Sequence, residues 1–346
     1  MGQRHHFVPK MLLKNFASKS DQSTDKHWVH QTGKSGESKE VSIRDVAVQK
    51  HFYGKVASLE SALAEQEGLA AGVFKLILSG SSPDDMSDEV SRFVWLQTFR
   101  TKSLRLAIKT AFEQLMAEFT SSASQENLGS KIRARARENF DEMLFSELPN
   151  QLYSDKLVLE EMLRVPKFRE IMIEASAAQL SGQKIVDILS KLFPHLLNTD
   201  YLNRIVQETH VSALEKLVAQ DIVPEPFKPK SWYVQEFPDH SLILGDTCVI
   251  ALATDGRVGV ANRFGNETAC FLMPLSHDKL LVGRFWNEEL KLEANAVNQA
   301  SAALSWDYFY SSASNIQTYE LSTRINSLSP VIDAVEIRKI VENFWQ

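Results

Sequence analysis

The sequence predicts an α+β fold: a mainly helical body with an N-terminal β-hairpin and a late antiparallel β-sheet. Three observations carry this. Two alternating segments flank the turn-rich Thr32-Gly33-Lys34-Ser35-Gly36. Apolar residues then recur at helical spacing across residues 58–219. After a step with three prolines between Asp221 and Pro229, short apolar runs follow, punctuated by glycines and Asp255-Gly256.

Taken in order, Pro9 opens a short helix over 10–17, with Leu12, Leu13 and Phe16 on one side. His27-Trp28-Val29-His30 and Glu40-Val41-Ser42-Ile43 form the hairpin. A helix over 58–78 presents Leu59, Leu63, Leu69, Val73, Leu76 and Ile77, and Gly80 and Pro83 follow its end. The spacing predicts one long helix over 87–119, capped by Ser87, with Asp88 and Glu89 in the positive first turn. Phe93, Leu96, Phe99, Leu104, Ile108, Phe112 and Leu115 make its apolar stripe. After a polar loop at 120–130, helical patterns recur at 131–147, 155–164, 166–180, 183–193 and 199–219. Strand-like runs follow at 231–237, 241–245, 248–253, 257–262, 268–273 and 279–285. Helices at 288–304 and 330–344 close the chain.

The boundaries suggest a basic, His-rich region at 1–55, a helical region at 56–220, and a sheet with C-terminal helices at 221–346. The last is expected to pack on the N-terminal part rather than stand alone. No apolar run reaches the roughly 18–20 residues that span a bilayer, so no membrane partner is expected. The two cysteines, Cys248 and Cys270, lie in apolar runs and read as buried free thiols in a reducing, cytoplasmic setting. The net charge of −6 is uneven: residues 1–55 hold ten Lys and Arg against five Asp and Glu. That basic region could meet nucleic acid or a nucleotide, or dock on the acidic last third of its own chain. A homo-oligomer stays open.

Arg4-His5-His6-Phe7-Val8-Pro9-Lys10 offers the densest chemistry. Adjacent histidines point to opposite faces of a strand, so only one can serve a given pocket. An imidazole near pH 7 works as base or acid, and Arg4, Lys10 or Lys14 could neutralise an anion, which suits phosphodiester cleavage. Equally, the pair could hydrogen-bond the fold or bind metal. No strong metal-ligand motif is present, so a divalent cofactor stays open and no metal ligand is named. The segment superficially resembles the first strand of an HNH nuclease, but the cysteine pairs and the local Asn and His partners are missing. Asn203 and His210, sharing a helix face, lie far along the chain. Gln97 and Arg100, one helical turn apart, could clamp a phosphate or form a structural ion pair. Asp246, between Gly245 and Thr247 at a strand end, could orient a histidine, bind metal or make an Asx turn. Asn295 and Asn298 read as inward-facing hydrogen-bonding groups. P-loop, dinucleotide, HExxH and Gly-x-Ser-x-Gly signatures are absent.

These pieces together resemble a bacterial family of domains of unknown function, whose members begin His-(His)-aromatic-Val-Pro-x-x-x-Leu-(Lys/Arg)-x-Phe, matched by His5 to Phe16. The likeness continues through Val41-Ser42-Ile43-Arg44-Asp45-Val46, Phe52-Tyr53, Leu59-Glu60, Leu96-Gln97-Thr98-Phe99-Arg100, Asp246 and Met273-Pro274-Leu275-Ser276. This chain departs from the pattern at Arg100-Thr101-Lys102 and at Asp246-Thr247-Cys248, where the family carries Arg-x-Pro and Asp-x-Pro. The resemblance supplies no reaction. The family's scattered distribution, like that of toxins and phage-defence effectors, implies a nucleic-acid substrate. The expectation is therefore an enzyme acting on an anionic phosphodiester, with His5, His6 and Asp246 catalytic. Arg4, Lys10, Gln97 and Arg100 would bind the substrate. The alternative is a non-catalytic binding or sensor module for a protein or nucleotide, with the same residues as a structural network.

Overall fold

The fold is α+β, as the sequence predicts. The structure is a computed structural model that describes residues 4–54, 57–123, 199–220, 222–238, 242–261, 263–286, 290 and 292–328. The expected helices at 131–147, 155–164, 166–180, 183–193 and 330–344 lie outside the described residues. In chain order the elements are β1 (Arg4–His6), α1 (Lys10–Asn15), β2 (Lys19–Asp21), β3 (Lys26–Gly33), β4 (Ser38–Ser42), β5 (Val48–Lys50) and α2 (Ala57–Leu78). Next come α3 (Ser87–Phe99), α4 (Lys102–Ala123), α5 (Thr199–Ala219), β6 (Ser231–Glu236), β7 (Leu244–Gly245), β8 (Ile250–Ala253) and β9 (Val258–Gly259). The series ends with β10 (Thr268–Pro274), β11 (Lys279–Arg284), α6 (Ala294–Leu304), β12 (Tyr308–Ser311) and α7 (Ile316–Ser322). The chain divides into two compact units, residues 1–104 with 214–330, and residues 105–213 with 331–346.

In the first unit the late sheet runs in the order β6-β11-β10-β8-β9, antiparallel throughout. The expected hairpin is β3 paired with β4, with Trp28 opposite Ser42 and Thr32 opposite Ser38. It is not a free-standing ribbon. Strand β12 pairs with β3 from Tyr308 opposite Gly33 to Ser311 opposite His30, and β7 pairs with β12 in turn. Residues near 30 and near 310 therefore share one sheet. Periodicity did not announce β1, β2, β5 or β12, because three or four residues are too few to show alternation. Leu244 and Cys248, read as ends of neighbouring strands, are separated by a tight turn. Cys248 takes φ 61°, its N–H bonds Gly245 O at 3.0 Å, and β7 and β8 enter different sheets. Gly245 suits this crossing, since a Cβ there would sit 2.6 Å from Ser305 Oγ and 2.8 Å from Ser301 O.

Three helices differ from expectation. The 87–119 helix is α3 and α4, broken at Arg100-Thr101, although the apolar stripe continues through the break. Arg100 caps α3 with φ −85° and ψ 2°. Thr101 Oγ1 accepts the Leu104 N–H at 3.1 Å, the N-cap geometry that starts a new helix. In α2 the buried face is Leu59, Leu63, Ala70, Phe74 and Ile77, whereas Leu69 and Leu76 are more than half exposed. Small Ala70 on the buried side hid this rotation of the stripe. The late helix α6 begins at Ala294 rather than 288. Asn298 Oδ1 accepts the Ile243 N–H at 2.9 Å, as expected of an inward Asn, while Asn295 is exposed.

In the second unit, Arg105 of α4 donates to Nδ1 of the fully buried His210 of α5, at 2.8 Å from Nη2. Asn203 is exposed, so it and His210 do not share a site.

Removing the Thr101 hydroxyl takes away the cap on α4. Thr101→Ala is expected to lower stability by about 1 kcal/mol, seen as an earlier urea midpoint at unchanged slope. An unshifted midpoint would reject the capping role.

Candidate functional site

The amino-terminal strand brings the predicted histidines into a buried hydrogen-bonded cluster. β1 pairs with β5, His5 opposite Gln49 and His6 opposite Val48. His5 is buried and stacked on Tyr53, ring centroids 5.3 Å apart at 14°. Its Nδ1 accepts the Tyr53 N–H at 2.9 Å. That acceptance occupies the one lone pair of a neutral imidazole, so Nε2 carries the proton. It lies 3.8 Å from Glu60, within ion-pair reach but beyond a hydrogen bond. Burial lowers the His5 pKa, Glu60 opposes the shift, and His51 adds to it. His6, on the other face, has Nε2 at 3.1 Å from Ile43 O; a carbonyl only accepts, so this nitrogen too is the protonated one. Burial pulls its pKa down to about 4, so it is neutral at pH 7 and a poor proton donor there.

The end of α3 grips the carbonyls of this strand. Gln97 Nε2 donates to Phe7 O at 3.0 Å and approaches Cys248 Sγ at 3.7 Å. Arg100, 2% exposed, donates from Nη2 to His6 O at 3.2 Å and to Glu67 Oε1 at 2.5 Å, and from Nε to the Tyr53 hydroxyl at 3.0 Å. The Tyr53 hydroxyl in turn donates to His6 O at 3.1 Å. Burial works against the guanidinium charge, but Tyr53 and Glu67 outweigh it and hold the proton more firmly than usual. Among the described residues, His5 Nε2, Gln97 Oε1 and Arg100 Nη1 are buried without a hydrogen-bond partner.

Asp246 reaches neither histidine. Its carboxylate, 1% exposed, accepts the N–H groups of Trp306 at 2.7 Å, Asp307 at 2.8 Å and Tyr308 at 3.1 Å, some 60 residues along the chain. This is neither an Asx turn nor an open ligand position; it is a clamp on a distant loop. Burial pushes its pKa up to about 6 against the pull of the three donors. The Cys248 thiol is raised by burial and by Asp246, which keeps it protonated, and both cysteines are buried free thiols. The other sequence candidates are peripheral. Arg4 pairs with Asp45 and Lys14 with Asp25 at the surface, and Lys10 is exposed. Among the described residues no cluster of three or more His, Cys, Asp or Glu could hold a metal ion.

The network thus joins the amino-terminal motif to Phe52-Tyr53 and to Leu96-Gln97-Thr98-Phe99-Arg100, with Asp246 holding a separate loop. A profile described as a protein of unknown function (DUF4238) matches residues 4–329. The chain belongs to the DUF4238 family. No curated protein and no solved structure matches it.

Sequence reasoning missed Glu67, the carboxylate that pairs with Arg100. On α2 it is one of several acidic residues, and nothing local marks it. It also missed a surface pocket of about 370 Å³ in this DUF4238 protein, lined by the hairpin tip Gly33–Ser35, the loop Trp306–Tyr308 and Asn326. The turn residues Gly33-Lys34-Ser35 were a signal, but their partners lie in β12's approach, far along the chain. Among the described residues, no helix is long and apolar enough to cross a membrane.

Two outcomes follow. Asp246→Asn places an amide donor against a backbone donor and is expected to cost about 2 kcal/mol in urea unfolding; an unchanged midpoint contradicts the clamp. His6 has a folded pKa of about 4 against an ordinary value of 6.5, so its contribution is present above pH 6.5 and is lost as pH falls through 4. Stability measured from pH 7 to 4 should fall less steeply in His6→Gln than in the wild type. Parallel profiles would assign the acid limb to other groups.

Proposed function

We propose that this DUF4238 protein is a non-catalytic binding module that recognises a protein or nucleotide, and that the His-His, Gln-x-x-Arg and Asp246 positions build its fold. One observation carries this reading: Arg100, Asp246 and His6, which would clamp, orient and transfer the proton, are engaged by the chain itself. A phosphate clamp needs donors facing the ligand, yet Arg100 is buried and committed to Glu67, the Tyr53 hydroxyl and the His6 carbonyl. A histidine orienter must touch the imidazole, yet Asp246 is saturated by three backbone N–H groups. A general acid must hold a proton near neutrality, and burial takes His6 far below that range.

The nuclease reading makes the opposite demand, so one assay separates them. Purified protein is incubated with single- and double-stranded DNA and RNA, with and without Mg²⁺, Mn²⁺ or Zn²⁺, and product lengths are followed. Intact nucleic acid is expected throughout. Cleavage that disappears in His6→Ala, with the variant still folded by circular dichroism, would overturn the binding reading.

A further inference from the structure

We propose that the pocket between the β3–β4 hairpin tip and the loop before β12 binds a mononucleotide, with the phosphate on the hairpin tip and the base on Trp306 or Tyr308. This deepens the binding reading above by naming a site and a ligand class. The volume, about 370 Å³, falls in the range of small-ligand sites, roughly 300–1,000 Å³. The two segments that line it differ in chemistry. One is the turn Gly33-Lys34-Ser35; the other carries two aromatic rings two residues apart.

Charge on the lining selects an anion. The carboxylate of Asp307 is ion-paired with Lys102 and so does not repel a phosphate. Lys34 is exposed, and among the described residues no ion pair engages it. Its ammonium is therefore the uncompensated charge of the lining. Beside it, Ser35 Oγ accepts the Glu37 N–H at 3.4 Å, which leaves the hydroxyl proton for an incoming oxygen. Tyr308, whose ring packs beside Gly33, is 40% exposed and Trp306 is half-buried, so each ring keeps accessible surface for a planar partner. Stacking of a base on such a ring is worth about 1–3 kcal/mol and tolerates any base. Asn326 completes the lining.

The loop that carries the rings is also held in place. Asp246 fixes the backbone N–H groups of Trp306, Asp307 and Tyr308 together, so the backbone that carries the rings needs little ordering when a ligand arrives. A buried carboxylate spent on one surface loop makes sense if that loop has to keep its shape.

The test is isothermal titration calorimetry of the whole chain with AMP, GMP, CMP and UMP, alongside adenosine, inorganic phosphate and maltose. At least one mononucleotide should bind. Its affinity should drop about tenfold or more in Lys34→Ala and in Tyr308→Ala, as expected for losing a charge-assisted contact or a stacking platform. Lys34 is exposed, so Lys34→Ala should unfold like the wild type; Tyr308 packs on Gly33, so circular dichroism rather than an unchanged midpoint reports that Tyr308→Ala folds. Adenosine binding as tightly as AMP, or phosphate alone binding as tightly, overturns the two-part site. Binding of maltose with none of the nucleotides assigns the rings to a sugar and overturns it too. If no nucleotide binds, this inference falls, while the binding-module reading stands on a protein partner. If a nucleotide binds and is recovered chemically altered, the site stands and the non-catalytic reading falls.

Discussion

A guanidinium with 2% exposure dictates much of how this chain comes together. Arginine cannot shed its proton, and an unpaired buried charge is costly, so Arg100 obliges the fold to deliver acceptors to it. They come from three places: the Tyr53 hydroxyl, the Glu67 carboxylate on α2, and the His6 carbonyl on β1. One turn earlier, Gln97 takes the next carbonyl, that of Phe7. The end of α3 thus reads two successive peptide groups of the first strand and fixes its register. The amino-terminal segment, with Phe7, Val8, Leu12, Leu13 and Phe16 all buried, is anchored at this point. The helix breaks immediately after Arg100, where Thr101 caps α4.

How much of this was legible follows from which signals are local. Long amphipathic segments such as α2 and α5, and the glycine-punctuated strands β6, β8, β10 and β11, stand in the sequence because their periods repeat over enough residues. The opposite directions of His5 and His6 follow from strand geometry alone. What the sequence hides is partner identity. Nothing near Asp246 indicates that its oxygens belong to the N–H groups of Trp306 to Tyr308, and nothing near Glu67 distinguishes it from its acidic neighbours. The break in the long helix was masked because apolar spacing continues across it and Thr101 is a weak signal without its geometry. Gln97 and Arg100 were visible as a polar pair beside an apolar stripe, but their role, holding peptide carbonyls, depends on a strand about 90 residues away.

The family-pattern residues organise two places rather than one. Arg100 and Gln97 settle the amino-terminal strand, and Asp246 settles the loop ahead of β12. Both use a buried charge to hold backbone, which is stricter than side-chain packing: a peptide group offers a fixed donor or acceptor direction that shape alone does not provide. The His-His pair belongs to this scheme. Each imidazole has one nitrogen on a backbone group, His5 on the Tyr53 amide and His6 on the Ile43 carbonyl, so the pair serves as rigid connectors with fixed tautomers.

The pairing of β3 with β12 has a consequence for how the chain is made. Residues 30–33 emerge early in synthesis, but the strand that completes their sheet edge is some 280 residues later. At about 5–20 residues per second, that stretch of β3 waits roughly 15–60 s for its neighbour. During that interval the segment holding Val29 and Thr32, both fully buried in the finished molecule, has an open hydrogen-bonding edge. His27, Lys26 and Lys34 around that edge discourage pairing with the wrong strand until the right one arrives. The β3–β4 hairpin, made early, is therefore among the last parts of the molecule to be finished.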